Sequence, residues 1–128
     1  MDKEQLKKRT KDFAIRVFRF LMTLEESKAT NVISYQLLKA SSSVAANYRA
    51  VCRGKSSADF LNKLKTVDEE ADVPILSGWL EFIDELELKC NKKELQFLIG
   101  EANELVSIFS ASIRTIKSKN LKIPNPKS

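Results

Sequence analysis

The sequence predicts an all-α protein, an antiparallel up-down-up-down four-helix bundle. Three observations predict it. Gly and Pro number only three each among 128 residues, while the strong helix formers Leu, Ala, Lys and Glu are common. Apolar residues recur at intervals of three and four along four segments. The joints between those segments are short, which makes consecutive helices antiparallel neighbours. A chain of this length buries one core without disulfides. The expected division is a bundle over residues 1–120 and a loose tail over 121–128, where LKIPNPKS carries two prolines and two lysines.

The first helix is expected from about Glu4 to Leu24. Phe13, Val17, Phe20, Leu21 and Leu24 form its core row. Ile15, Phe18 and Met22 form a second apolar row beside it. Such a wide apolar face calls for burial on two sides, within the bundle and against something else. Glu25 to Asn31 is polar and reads as the connection.

The second helix occupies Val32 to Arg53, with Ser34, Thr30 or Asn31 as its N-cap. Leu37, Ser41, Val44, Tyr48 and Val51 share one line. The small residues Ser41, Ser42, Ser43, Ala45 and Ala46 let a neighbouring backbone approach closely. From Ser27 to Ala58 every charge is positive: Lys28, Lys39, Arg49, Arg53 and Lys55. Gly54 is the expected C′ stop, with Arg53 at the negative end of the helix dipole.

Ser56 or Ser57 caps the third helix. Phe60, Leu64, Val67, Ala71 and Ile75 lie on one side, continuing through Trp79, Phe82, Ile83 and Leu86. Pro74 and Gly78 predict a kink near Asp72 to Gly78. The segment is acidic, with Asp68, Glu69, Glu70, Asp72, Glu81, Asp84, Glu85 and Glu87, so surface pairing with the basic helices is expected. Asn91 caps the fourth helix, whose pattern is Leu95, Leu98, Ile99, Ala102, Leu105, Val106, Phe109, Ile113 and Ile116. It is expected to end near Lys117 to Asn120.

Composition narrows the chemistry. There is no histidine, which removes Ser-His and Cys-His nucleophiles and His-ligated metals. Cys52 and Cys90 form no CxxC pair, and two unpaired thiols suit a reducing compartment. The carboxylates Asp68, Glu69, Glu70 and Asp72 have no matching inward-facing acids on other helices, which argues against a di-metal bundle. The serines Ser41 to Ser43 have no base in view. No cofactor is expected, and the chain reads as non-enzymatic. No apolar run approaches the roughly 20 residues that span a bilayer, and the N-terminus MDKEQLKKRTKD lacks a signal peptide's apolar block. Cytoplasmic placement without a membrane role is therefore expected.

The formal net charge of +5 fits an acidic partner. Arg49, Arg53 and Lys55 stand at one helix end, and with Lys39, Arg16 and Arg19 they are the candidate phosphate contacts for RNA or DNA. Solvated charge, or ion pairs to the acidic third helix, is the competing account. Tyr48 beside Arg49 also has two readings, a base-stacking aromatic or a core residue. Helical spacing favours the core.

The run ISYQLLKASSSVAANYRAVCRGKSSADFLNKLKTVDEEAD, followed by WLEF, resembles the "four helix bundle protein" family, also called the 23S rRNA-intervening-sequence protein family. The likeness lies in Gln36 to Val51, Ser56 to Lys65, Glu69 to Asp72 and Trp79 to Glu81. Between EEAD and WLE the chain carries VPILSG, where the family pattern is a shorter uninterrupted helix. The resemblance implies a four-helix bundle that assembles as a homo-oligomer, with a pentameric ring favoured. One branch of the family is the accessory variability determinant of diversity-generating retroelements, a basic pentamer that binds nucleic acid and a reverse transcriptase. What it implies here is a non-catalytic scaffold or accessory protein binding nucleic acid, with a reverse transcriptase as a candidate partner. The alternative is a pure protein-interaction or structural module.

Overall fold

The computed structural model describes residues 2–54, 56–66 and 72–122. Among them are five helices and no strand: α1 (Lys3–Met22), α2 (Lys28–Cys52), α3 (Ser57–Lys65), α4 (Asp72–Glu85) and α5 (Lys92–Lys122). Helix α1 packs on α2 and α5, α2 also packs on α3 and α4, and α5 closes on α3 and α4.

Local chemistry sets the helix starts. Asp2 caps α1 in a capping box, accepting from the Gln5 N–H at 2.8 Å while Gln5 Oε1 accepts from the Asp2 N–H at 3.0 Å. Ser27 and Thr30 make the same exchange at the start of α2, at 3.1 and 2.8 Å. The second helix therefore begins at Lys28, earlier than its sequence suggests, and the joint contracts to residues 23–27. Thr30 at the third helical position returns a bond to Ser27, which is what makes this start preferable to one at Ser34. Ser56 and Asn91 cap α3 and α5 as expected, each accepting from an N–H three residues on.

The helix ends differ more. Gly54 follows the C-cap Arg53, but no glycine among the described residues has a positive φ. Crowding favours glycine at 54 instead. A Cβ there would lie 3.1 Å from the Val51 carbonyl oxygen and 3.3 Å from the Phe60 nitrogen. The left-handed residue is Glu87, at φ 55. Its N–H donates to the Asp84 carbonyl at 3.1 Å and that of Leu88 to Ile83 at 3.4 Å, a Schellman ending for α4.

The stretch in which a kink is expected, Asp72 to Gly78, is continuous helix. Pro74 and Gly78 both lie within the helix described from Asp72 to Glu85. Val67 and Ala71, placed on the third helix's core row, lie outside the described residues. Helix α5 runs to Lys122, two residues into the expected tail, and residues 123–128 lie outside the described set.

The core is apolar. Val17, Leu37, Val44, Val51, Leu64, Leu95, Leu98, Leu105 and Phe109 are fully buried, each contributing about 1.5–3 kcal/mol by leaving water. Helix α4 keeps Ile83 of its expected row inside and adds Leu76 and Leu80, while Ile75 and Phe82 of that row, and Leu86 just past the helix end, are exposed. Charge pairing also departs. Helix α1 pairs with α5, through Arg9 with Glu101 and Glu104 and through Arg16 with Glu94. The acidic third segment supplies no such interhelical pair among the described residues.

Candidate nucleic-acid interface

Burying Leu37, Ser41, Val44, Tyr48 and Val51 turns the opposite side of α2 to solvent. Stepping by fours and threes, that side reads Lys28, Val32, Tyr35, Lys39, Ser42, Ala46, Arg49 and Arg53, and all eight residues are exposed. The burial of Phe13, Val17, Phe20 and Leu21 likewise turns Lys11, Ile15, Phe18, Arg19 and Met22 of α1 outward. Between the two helices lies a groove of about 420 Å³, with Ala14, Ile15, Phe18, Met22, Ala45 and Ala46 as its apolar lining. Its charged lining residues are Lys11, Arg19 and Arg49, and no carboxylate joins them. Met22 is 77% exposed at one end.

The six candidate cations separate into groups. Arg19 and Arg49 both line the groove, one from each helix. Lys39 and Arg53 share the outward side of α2 with Arg49. None of these four forms an ion pair with another described residue. Arg16 is turned the other way. Its guanidinium donates to the Glu94 carboxylate at 2.5 and 3.2 Å and stacks over the Phe97 ring, 3.5 Å from the centroid. The Glu94 carboxylate raises the Arg16 pKa further. A cation already matched with a carboxylate and an aromatic face does not serve as an open phosphate contact, so Arg16 leaves the set. Lys55 lies outside the described residues.

Tyr48 is a core residue. Its ring packs on Phe109 with centroids 5.6 Å apart, and burial, then the neighbouring Cys52 thiol, pushes its phenol pKa up. The exposed aromatic on the basic side is instead Tyr35, 62% exposed and one turn before Lys39. The signal that finds it is the buried line itself, since residues opposite Leu37 and Ser41 must face water.

The serines act as packing elements. The Ser41 and Ser42 hydroxyls each donate to a carbonyl four residues back, at 2.7 Å, leaving no activated nucleophile. Burial raises the Cys90 thiol pKa, away from the reactive thiolate. Among the described residues no group of three metal-ligating side chains occurs, and no helix is long and apolar enough to cross a membrane. The carboxylates Asp68, Glu69 and Glu70, and the side chain of Asp72, lie outside what the structure describes.

No family model matches the chain, and no curated protein matches it. A solved structure shares the fold: the crystal structure of a protein of unknown function from the S23 ribosomal protein family of Bacteroides thetaiotaomicron. The two superpose with a TM-score of 0.69, over 84% of this chain and 96% of that one, at 24% sequence identity.

Proposed function

We propose that this chain is a non-catalytic scaffold or accessory protein that binds RNA or DNA through the outward side of α2 and the facing edge of α1. The observation that carries this reading is the alignment of Lys39, Arg49 and Arg53 on one side of α2, with Arg19 across the groove and no carboxylate in the groove lining. Such cations grip the phosphate backbone without reading bases, and Tyr35 adds a surface on which a base can stack.

The proposal carries the architecture further. Helices α3 and α4 together form the third arm of an up-down-up-down four-helix bundle, placed in the cytoplasm. The residue resemblance and the shared fold support membership of the 23S rRNA-intervening-sequence protein family. Assembly into a homo-oligomer, with five subunits favoured, multiplies a weak basic patch into an avid one. A reverse transcriptase is the protein partner that the retroelement branch suggests.

The test is a fluorescence-anisotropy titration with single-stranded RNA and duplex DNA between 50 and 200 mM salt. Two to four phosphate contacts per subunit, from Lys39 and Arg53 with or without Arg19 and Arg49, give a log–log salt slope of about −1.5 to −4. Reversing Arg49 and Arg53 to Glu abolishes binding while helicity stays intact. No binding at the lowest salt, or unchanged affinity in that variant, overturns the proposal. The exposed Ile15, Phe18 and Met22 favour a second role for the same region, contact with protein.

A further inference from the structure

Two stripes on the described surface carry exposed apolar side chains, with Trp79 against Phe82 as the ring contact made within the second. The first is the α1–α2 groove, with Ile15, Phe18 and Met22 exposed between Lys11, Arg19 and Arg49. The second is the outer side of α4, where Ile75, Phe82 and Leu86 are exposed beside the exposed carboxylates Glu81 and Glu85. The exposed apolar residues of the groove span positions 15 to 22, about 10 Å, and those of the second stripe positions 75 to 86, about 16 Å. One is bordered by cations alone, the other carries carboxylates.

Gly78 supplies an independent clue. It lies mid-helix on the same exposed side of α4, and a Cβ built there meets nothing within 4 Å. A helical glycine costs about 1 kcal/mol relative to alanine, and nothing within the described chain requires one here. Its missing side chain leaves room for a close approach by another surface. Ala45, Ala46 and Ser42 give the groove a correspondingly low floor.

We infer that α4 of one copy docks into the α1–α2 groove of the next, with Glu81 and Glu85 facing Arg19 and Arg49 and Gly78 over the small residues of α2. This pairing is head-to-tail, since each copy offers one groove and one α4. A heterologous contact of this kind closes into a ring when its rotation closes. The inference rests on the oligomeric part of the proposed function and assigns it an interface. It also divides the basic side: Arg19 and Arg49 become subunit contacts, while Lys39 and Arg53 remain open to phosphate.

The test uses two variants of the full chain, both at exposed positions. Phe18→Glu spoils the groove and leaves α4 intact. Phe82→Glu spoils α4 and leaves the groove intact. Sedimentation velocity over a dilution series is expected to show assembled wild type, with each variant about a hundredfold weaker in association and unchanged in circular dichroism. Mixing the two variants gives a 1:1 dimer that grows no further, because only one of its two contacts is sound. Gly78→Ala weakens assembly by about tenfold while raising the melting temperature of the monomer. Gly100→Ala, equally open on α5, leaves assembly unchanged. Wild type that assembles while both variants assemble equally well overturns the interface alone. Wild type that stays monomeric at 100 μM overturns both the interface and the oligomer. Variants that are monomeric alone but form no dimer on mixing also overturn the head-to-tail pairing. Nucleic-acid binding by Phe82→Glu, which keeps every candidate cation, is read separately by anisotropy.

Discussion

Replacing Arg9 with Met tests the one ion cluster that ties α1 to α5 in a sheltered place. The Arg9 guanidinium donates to both Glu101 oxygens, at 2.8 and 2.6 Å, and lies 3.0 Å from Glu104. Exposure ranks the two carboxylates. The Arg9 and Glu101 side chains are 21% and 14% exposed, and Glu104 is 62% exposed. Glu104 is therefore screened and contributes at most about 0.5 kcal/mol. Removing Arg9 strands a largely enclosed carboxylate. A fully buried pair would cost about 3–5 kcal/mol, but both groups still touch water, so a loss of about 1–2 kcal/mol is expected. That corresponds to a fall of about 4–7 °C in Tm. Urea unfolding followed at 222 nm measures it. Glu104→Gln should cost under about 0.5 kcal/mol, and the Arg9→Met/Glu101→Met double variant should recover most of the loss, because an apolar pair strands no charge. Arg9→Met costing no more than Glu104→Gln would refute the ranking by exposure.

Two further predictions concern stability. Burial raises the Tyr48 phenol pKa above its unfolded value, so the folded state holds that proton more tightly. The associated stability is present below pH about 10, the ordinary phenol value, and is lost as pH rises toward the raised pKa. Tyr48→Phe should therefore show a shallower alkaline decline than wild type in melts from pH 8 to 11, and parallel curves would count against it. Glu87 occupies a left-handed conformation at φ 55, so Glu87→Gly should stabilise the chain by about 0.5–1 kcal/mol. A loss of stability there would mean that the Glu87 side chain contributes more than its backbone costs.

The sequence made some faces legible because one solution fitted them. In α2, Leu37, Ser41, Val44, Tyr48 and Val51 define a single line, and in α5 Leu95, Leu98, Ala102, Leu105 and Phe109 define another. Both lines are buried. Helix α4 was ambiguous, because Ile75, Phe82 and Leu86 repeat at helical spacing as well as Leu76, Leu80 and Ile83 do. The choice between those rows is made by packing on α2 and α5, which no local pattern contains. The cations pose the same difficulty. Arg16 and Arg19 are one turn apart on one helix, yet Glu94 and Phe97, far along the chain, engage only Arg16. The start of α2 was hidden because several residues there can cap a helix. The winner is the serine whose third successor returns the bond.

The corner between α1 and α2 has a kinetic consequence. Thr30 is buried, and its hydroxyl lies 2.8 Å from the Glu25 carbonyl and 3.0 Å from the Ser27 hydroxyl, while the Thr23 hydroxyl donates to Phe20 at 2.6 Å. Five joint residues held by so many local bonds have little freedom to lose on binding. A partner arriving at this side of the molecule meets a finished shape, so little ordering entropy is spent at encounter. Association should then proceed in a single phase, with a rate set by diffusion and long-range charge attraction and no slower isomerisation behind it. The hydrogen-bonded amide protons of this corner, those of Leu24, Ser27 and Thr30, should exchange more slowly than those of an open loop.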